Sequence, residues 1–230
     1  MGQSENNKND NNKIEVMESV YAKNEALAGK LNKELTAKRV FCVNVMGSPG
    51  AGKTSSLVQI IRRLSAASYA SFVIEGDIES DIDARKLASL GISAAQINTG
   101  GECHLDSPLI AEAFAGNPFE NGFLFIENVG NLVCPAEFLI GEHIKMLISS
   151  VTEGSDKPYK YPLAFEKADA ILVNKWDMRK YAEFDAEFYI SGVKKLNARA
   201  PVFFVSAKTG DGFGEVAEWL VKRAGTVIKK

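Results

Sequence analysis

Val40-Phe41-Cys42-Val43-Asn44-Val45-Met46, followed by Gly47-Ser48-Pro49-Gly50-Ala51-Gly52-Lys53-Thr54 and then Ser55-Ser56-Leu57-Val58-Gln59-Ile60-Ile61-Arg62-Arg63-Leu64, is the stretch that decides the fold. The first seven residues are largely apolar and read as a strand covered on both faces. The next eight fit G-x-x-x-x-G-K-[ST], and the last ten carry helical periodicity. Strand, glycine-rich turn and helix in that order form a phosphate cradle. The glycines let successive backbone N–H groups point into one concavity, and the helix N-terminus adds a dipole favourable to anions. Lys53 is expected on the β- and γ-phosphates, and the Thr54 hydroxyl on Mg²⁺, with Ser55 next to it in the first turn.

Working outward, the alternation continues. Ser71–Glu75, Ala94–Ile97, Phe123–Ile126, Lys145–Val151, Ala170–Val173 and Val202–Val205 read as strands. Segments 53–66, 80–90, 107–116, 180–196 and 212–228 read as helices. Such alternation predicts an α/β fold: a P-loop NTPase with a mostly parallel sheet of about seven strands and helices on both sides. N-terminal to it, Ile14, Met17, Tyr21, Ala28, Leu31 and Leu35 recur at helical spacing, so an amphipathic helix is expected over 13–37, packed on its own domain or offered to a partner. Residues 1–12 hold five Asn and no apolar residue after Met1, which predicts a disordered tail. The parse is tail 1–12, helix 13–37 and nucleotide-binding domain 38–230.

The composition agrees. The 230 residues carry 27 basic and 29 acidic side chains, a net charge of −2, with 46% hydrophobic and 24% charged residues. Collagen-like and wholly disordered chains are excluded. No apolar run nears the ~20 residues of a membrane helix, and no basic excess favours nucleic acid. Three cysteines are too few and odd in number for a disulfide framework, and residues 1–12 lack the apolar core of a secretory signal. Met1-Gly2 is followed by Asn6 where a myristoylation motif wants Ser or Thr. A cytoplasmic protein is expected.

Two further segments follow apolar strands: Asn174-Lys175-Trp176-Asp177 after AILV, and Ser206-Ala207-Lys208 after VFFV. They resemble the guanine-binding segments of the P-loop GTPases. The resemblance implies that Asp177 accepts the two N–H donors of the guanine edge, that Asn174 supports the loop, that the Lys175 stem lies over the ring, and that Ala207 N–H meets the guanine oxygen. Adenine would leave the carboxylate unpaired there. Asp77, in Glu75-Gly76-Asp77, sits at the C-terminal end of a strand, where α/β sheets place ligands; it could also cap the next helix. Glu127-Asn128-Val129-Gly130 stands where many GTPases have D-x-x-G.

With those motifs, GDIESDIDARKL (76–87), NTGGECHLD (98–106), ENVGNLVCPAEF (127–138) and SVTEGSDKPYKYP (150–162) resemble the hydrogenase nickel-incorporation GTPases, the HypB family, from about residue 40 to 228. This resemblance implies a dimerising GTP-hydrolysing metallochaperone. Its partners would be GTP, nickel, a nickel metallochaperone and the hydrogenase large subunit. It places Asp77 and Glu127, with Thr54, on the Mg²⁺ and water side of the γ-phosphate, and makes Lys53, Asp77 and Glu127 the catalytic set. Two features depart from some members. Residues 1–41 hold no Cys or His, so no N-terminal nickel-binding segment stands there, and Ser107-Pro108 follow Cys103-His104-Leu105-Asp106, where some members have a further His shortly after the Cys-His pair.

Cys103, His104 and Cys134 are the expected nickel or zinc ligands, since thiolate and imidazole suit those ions and not Mg²⁺ or Ca²⁺. A fourth ligand would be water or a group from a second subunit. Cys42 reads as a core residue, and His143 as structural or as a support behind the ligands. Because Glu127, Gly130 and Cys134 share one short segment, γ-phosphate sensing would re-aim Cys134, linking metal grip to nucleotide state. Lys157 and Lys160 read as solvated surface or as groups near the nucleotide of another subunit. A urease accessory GTPase is the nearest rival, but its motif resembles Cys-Pro-His, whereas Cys134-Pro135-Ala136 stands here. A regulatory G protein leaves the Cys and His residues unexplained, and a storage module would want a His-rich tail.

Overall fold

Unbroken apolar strands need cover on both faces, and the chain supplies it. The computed structural model describes residues 4–77, 82–101 and 103–228, with side chains from residue 21 onward except Ala84. Seven strands, β1 Val40–Met46, β2 Ala70–Asp77, β3 Ala94–Asn98, β4 Gly122–Glu127, β5 Ile144–Ser150, β6 Ala170–Asn174 and β7 Val202–Phe204, form one sheet in the order β3-β2-β4-β1-β5-β6-β7. Every pairing is parallel. The helices are α1 Ser4–Ala37, α2 Lys53–Ala66, α3 Ile82–Ser89, α4 Ser107–Gly116, α5 Cys134–Glu137, α6 Lys157–Lys160, α7 Pro162–Lys167, α8 Ala186–Leu196 and α9 Phe213–Ala224.

Side chains alternate across each strand, so β1 feeds two cores. Phe41, Val43 and Val45 pack with Leu57, Ile60 and Leu64 of α2 and Val216 and Leu220 of α9. Val40 and Cys42 face the other way, onto Leu31 and Leu35 of α1 and Ile110 and Phe114 of α4. Cys42 is fully buried, as expected of a core cysteine, and burial pushes its thiol up. A third core joins Leu147, Ile171 and Val173 to Phe165 of α7 and Tyr189 and Val193 of α8. Successive strands are laid on both sides of β1, so the crevice for ligands opens at its C-terminal end.

Two expectations need correcting. First, the tail and the helix of 13–37 are replaced by one helix starting at Ser4. Helical hydrogen bonds are local, so its polar first turns carried no apolar period to find; residues 1–3 lie outside the described residues. Of the periodic set, Ile14 and Met17 fall where side chains are not described, while Ala28, Leu31 and Leu35 are buried as expected. Second, the helix read over 180–196 begins only at Ala186, because the Asp185 carboxylate caps it, accepting from Phe188 N at 3.0 Å. The helix read over 80–90 stands as α3 Ile82–Ser89 within the described residues, and residues 80 and 81 lie outside them. Among the described residues no helix is long and apolar enough to cross a membrane.

Candidate functional site

The loop Gly47–Gly52 leaves β1 and opens α2. Gly50 and Gly52 have φ of 74° and 95°, the left-handed region where a side chain is strained. Lys53 curls back, donating from Nζ to Gly47 O at 3.3 Å. The first turn of α2 carries no acidic residue, so its N–H groups and dipole are available to an anion. Ser55, next to Thr54, accepts from Lys86 Nζ at 3.2 Å. Beside Ser48, Lys157 Nζ reaches its hydroxyl at 3.4 Å and pairs with Glu153 at 3.1 Å. Lys157 therefore faces the phosphate loop of its own chain, whereas Lys160 is an exposed partner of Asp156.

A cleft of about 340 Å³ lies against the loop, lined on one side by Pro49, Gly50 and Lys53 and on the other by Glu75, Asp77, Asp83, Glu127 and Gly130. The register of β2 on β4 pairs Glu75 with Glu127, so two carboxylates stand side by side. They are 2% and 3% exposed. Burial, then Glu127, pushes Glu75 up to about 8; burial pushes Glu127 up to about 7, against the pull of Lys53. Glu127 Oε1 accepts from Thr54 Oγ1 at 2.8 Å. The Oε2 atoms of Glu75 and Glu127 are buried and have no hydrogen-bond partner among the described residues. Hard oxygen donors left over in a buried cleft beside a phosphate loop fit a small divalent cation. Asp77 ends β2 at the rim of this cleft, and residues 78–81, between it and α3, lie outside the described residues. Glu75 and Asp83 join the cleft without having been assigned a role from sequence; an ionisable residue in the apolar run SFVIE was the available signal.

The two base-side segments meet. Asn174 Nδ2 donates to Ala51 O at 2.9 Å, and its Oδ1 accepts from Ala207 N at 3.0 Å. Ser206 Oγ donates to Asp177 Oδ1 at 2.6 Å. Lys175 takes φ 59° and extends Nζ to Thr152 Oγ1 at 3.2 Å. Gln59 of α2 holds Ala207 O at 2.9 Å, so the base side is tied to the phosphate side through one helix. Lys208 follows on the same turn, closed by Gly210 N onto Ser206 O at 2.7 Å.

Cys103, His104 and Cys134 converge, their ligand atoms all within 4.8 Å of one another. The two sulfurs are 3.0 Å apart, and Cys103 Sγ is 3.6 Å from His104 Nδ1. The His104 ring stacks on Phe138 at 4.0 Å between centroids. Asn131 Nδ2 holds Cys103 O at 3.2 Å, and Asn128 Oδ1 holds Leu105 N at 3.2 Å. The Cys134 thiol is pushed up by the Cys103 thiol beside it and then by burial, so a soft or borderline ion must displace the Cys134 proton to bind. His143 is elsewhere. Its Nδ1 accepts from Cys42 N at 2.9 Å, its Nε2 meets Thr36 Oγ1 at 3.0 Å, and burial lowers it to about 4. It docks α1 and is no ligand of this site. Helix α1 braces the metal segment directly: Asn24 Nδ2 donates to Leu139 O at 2.7 Å and Tyr21 stacks on Phe138.

Known proteins resemble the chain in sequence and fold. Residues 41–204 match the family model of the CobW/HypB/UreG nucleotide-binding domain. The hydrogenase maturation factor HypB of Azotobacter vinelandii is 42% identical over 217 residues, 94% of this chain and 71% of that protein. The hydrogenase/urease maturation factor HypB of Helicobacter hepaticus is 36% identical, over 95% of this chain and 92% of that protein. The crystal structure of HypB from Helicobacter pylori in complex with nickel superposes with a TM-score of 0.82 at 34% identity, covering 88% of this chain and 95% of that one. On fold, site and relatives together, the chain belongs to the CobW/HypB/UreG family of nucleotide-binding domains and, within it, to the HypB hydrogenase maturation factors.

Proposed function

We propose that this chain is a cytoplasmic GTP-hydrolysing metallochaperone that binds nickel at Cys103, His104 and Cys134 and couples its release to GTP turnover during [NiFe]-hydrogenase maturation. The observation that carries the proposal is the shared segment: Glu127 touches Thr54 at 2.8 Å, Asn131 touches the Cys103 carbonyl at 3.2 Å, and Cys134 lies three residues further on. A change at the γ-phosphate end of this segment displaces a metal ligand at its other end. The relative in complex with nickel supports the ion; zinc would accept the same donors, and its four-ligand preference would equally ask for water or a partner group.

In this mechanism the phosphate loop N–H groups and Lys53 hold the β- and γ-phosphates. Asp177, with one oxygen already accepting from Ser206, takes the guanine edge; Asn174 couples that loop to the phosphate loop; the Lys175 stem covers the base; and Ala207 N–H, which donates to Asn174 Oδ1 in this structure, would exchange that partner for the guanine oxygen. Thr54, Asp77 and Glu127 would hold Mg²⁺, which neutralises charge on the transferring phosphoryl group. Glu127 also orients the attacking water. Three protein ligands leave the nickel site one short, which a second subunit in a homodimer would complete, bringing Lys157 close to the junction between nucleotides. A nickel metallochaperone would load the site and the hydrogenase large subunit would receive the ion.

The test is a Ni²⁺ titration of the apo, GDP-bound and GTP-analogue-bound chain, with dimer fraction measured at each point. Nickel affinities that differ between the nucleotide states support the coupling; one affinity in all three states removes it.

A further inference from the structure

Lys145 stands inside the apolar strand β5, only 6% exposed, and is the one buried Lys or Arg among the described residues. Its ammonium faces neither the nucleotide cleft nor solvent. It donates to the carbonyls of Pro135, Ala136 and Phe138 at 3.0, 3.1 and 2.7 Å. All three lie within four residues after Cys134. Three carbonyls gathered on one cation fix the path of a segment that four residues of α5 could not hold alone.

The cation is itself held. Glu142 Oε1 lies 3.3 Å from Nζ, with side chains 7% and 3% exposed. Glu142 Oε2 accepts from Ile140 N at 2.7 Å, and Oε1 receives a longer 3.4 Å contact from Asn44 Nδ2 on β1. Asn44 Oδ1 accepts from Asn128 Nδ2 at 3.1 Å, and Asn128 is the residue that holds Leu105 N behind His104. The backbone of Lys145 is pinned by Asp169, which accepts from Lys145 N through Oδ2 at 2.9 Å and donates its own N–H to Lys145 O at 2.8 Å. A buried polar chain therefore reaches both halves of the Cys-Cys-His cluster, one end at the carbonyls of Pro135, Ala136 and Phe138 and the other at Leu105.

We propose that Lys145, anchored by Glu142, is the positioning residue of the metal centre: it holds the Cys134 segment so that its thiolate faces Cys103 and His104. The proposal rests on the nickel reading of that cluster and deepens it. Groups behind metal ligands typically change metal affinity about 10–100-fold when removed. Removing Lys145 alone would strand the Glu142 carboxylate, whereas replacing both members of a buried pair with neutral residues is often tolerated.

The test uses the full chain with Lys145→Met/Glu142→Gln, and Glu142→Gln alone, which removes the counter-charge but leaves Lys145 its three carbonyl acceptors. Ni²⁺ affinity and the thiolate-to-nickel charge-transfer band are measured, with GDP affinity and far-UV circular dichroism as controls of fold. The double variant should bind Ni²⁺ roughly 10–100-fold more weakly, with a displaced band and GDP affinity within about twofold of the parent. Glu142→Gln should move in the same direction by less. A folded variant with parental Ni²⁺ affinity and an unshifted band overturns the proposal, and if the double variant does not fold, Glu142→Gln decides by the same criterion. Cys134→Ala, run alongside, separates the two levels. If it leaves Ni²⁺ binding intact, the nickel site itself is wrong; if it weakens binding while the Lys145 and Glu142 variants do not, only the positioning role falls.

Discussion

Thr54 and Glu127 share a 2.8 Å hydrogen bond between the first turn of α2 and the end of β4. The hydroxyl donates, so Glu127 Oε1 is engaged, while Oε2 has no partner among the described residues. A carboxylate on that atom is unfavourable without a cation, and the same holds for Glu75 beside it.

A pH dependence of stability follows. Folding raises the Glu75 carboxyl from 4.5 to about 8 and Glu127 from 4.5 to about 7, chiefly by burial. A carboxyl with a raised folded pKa favours the native state while protonated, and that contribution fades as pH rises from the unfolded value through the folded one. The metal-free chain should lose melting temperature between about pH 5 and pH 8 from these two groups. His143, lowered to about 4, acts oppositely and costs stability as pH falls below 6.5. The melting difference between Glu75→Gln and the parent isolates the carboxyl part: it should grow in favour of the variant as pH rises. Mg²⁺ with GDP should shrink the difference, because the ion favours the ionised carboxylates. A pH-independent difference would remove the buried-carboxyl account.

Base choice is tested at Asp177, whose Oδ1 accepts from Ser206 Oγ at 2.6 Å. Asp177→Asn replaces a charged acceptor with an amide, and charge-assisted bonds are worth about 1.5–3 kcal/mol. GTP affinity should fall by roughly one to two orders of magnitude while xanthosine triphosphate gains. Equilibrium binding of the two nucleotides checks this; unchanged GTP affinity would mean the base lies elsewhere.

Gly52 carries a further prediction. Its φ is 95°, and a Cβ there would collide with Asn174 Nδ2, the atom that holds Ala51 O. Left-handed backbone alone costs a non-glycine residue about 1–2 kcal/mol. Gly52→Ala should therefore weaken triphosphate and guanosine binding together, since Asn174 also positions Ala207. Gly50→Ala, whose added Cβ meets open space, carries only the backbone strain at φ 74° and should lose less. Isothermal titration with GTP, GDP and guanosine orders the two variants, and equal losses would show that the Asn174 contact contributes nothing.

Much of this was legible before any coordinate. Strands β1, β4, β5 and β6 are apolar because both faces are covered, and the phosphate loop, Asn174–Asp177 and Ser206–Lys208 are local motifs whose order alone defines a cleft. What stayed hidden depends on register. Glu75 meets Glu127 only because β4 inserts beside β2 in that alignment, whereas the Cys103, His104 and Cys134 cluster was expected from the motifs despite 31 residues between its cysteines. Lys145 entered the sequence reading only as the first residue of a strand; its three carbonyl partners lie in and just after a short helix with no periodic signal. The late start of α8 was decided by a single cap at Asp185.

The last prediction joins metal, proton and nucleotide. Cys103→Ala, His104→Ala and Cys134→Ala should each weaken Ni²⁺ binding, since each removes a donor from a cluster only 4.8 Å across. Cys42→Ala should not, because that thiol is buried in the core between α1 and the sheet. Thiolates must lose their protons to bind, and Cys134 is held protonated by its Cys103 neighbour and by burial. Nickel affinity should therefore fall as pH drops, and the fall should be less steep in Cys103→Ala, where one competing proton is gone and its neighbour's push on Cys134 is relieved. Nucleotide enters through Glu127 and Asn131. A GTP analogue should shift the Ni²⁺ affinity by about 5–150-fold, the span of a 1–3 kcal/mol coupling, and Ni²⁺ must shift the analogue's affinity by the same factor. Competition titrations at several pH values, run in both directions, check the factor twice. Parental affinity in Cys103→Ala and Cys134→Ala would end the metallochaperone reading, while unequal factors in the two directions would show that dimerisation contributes a further linked equilibrium, to be resolved by repeating the cycle at fixed dimer fraction.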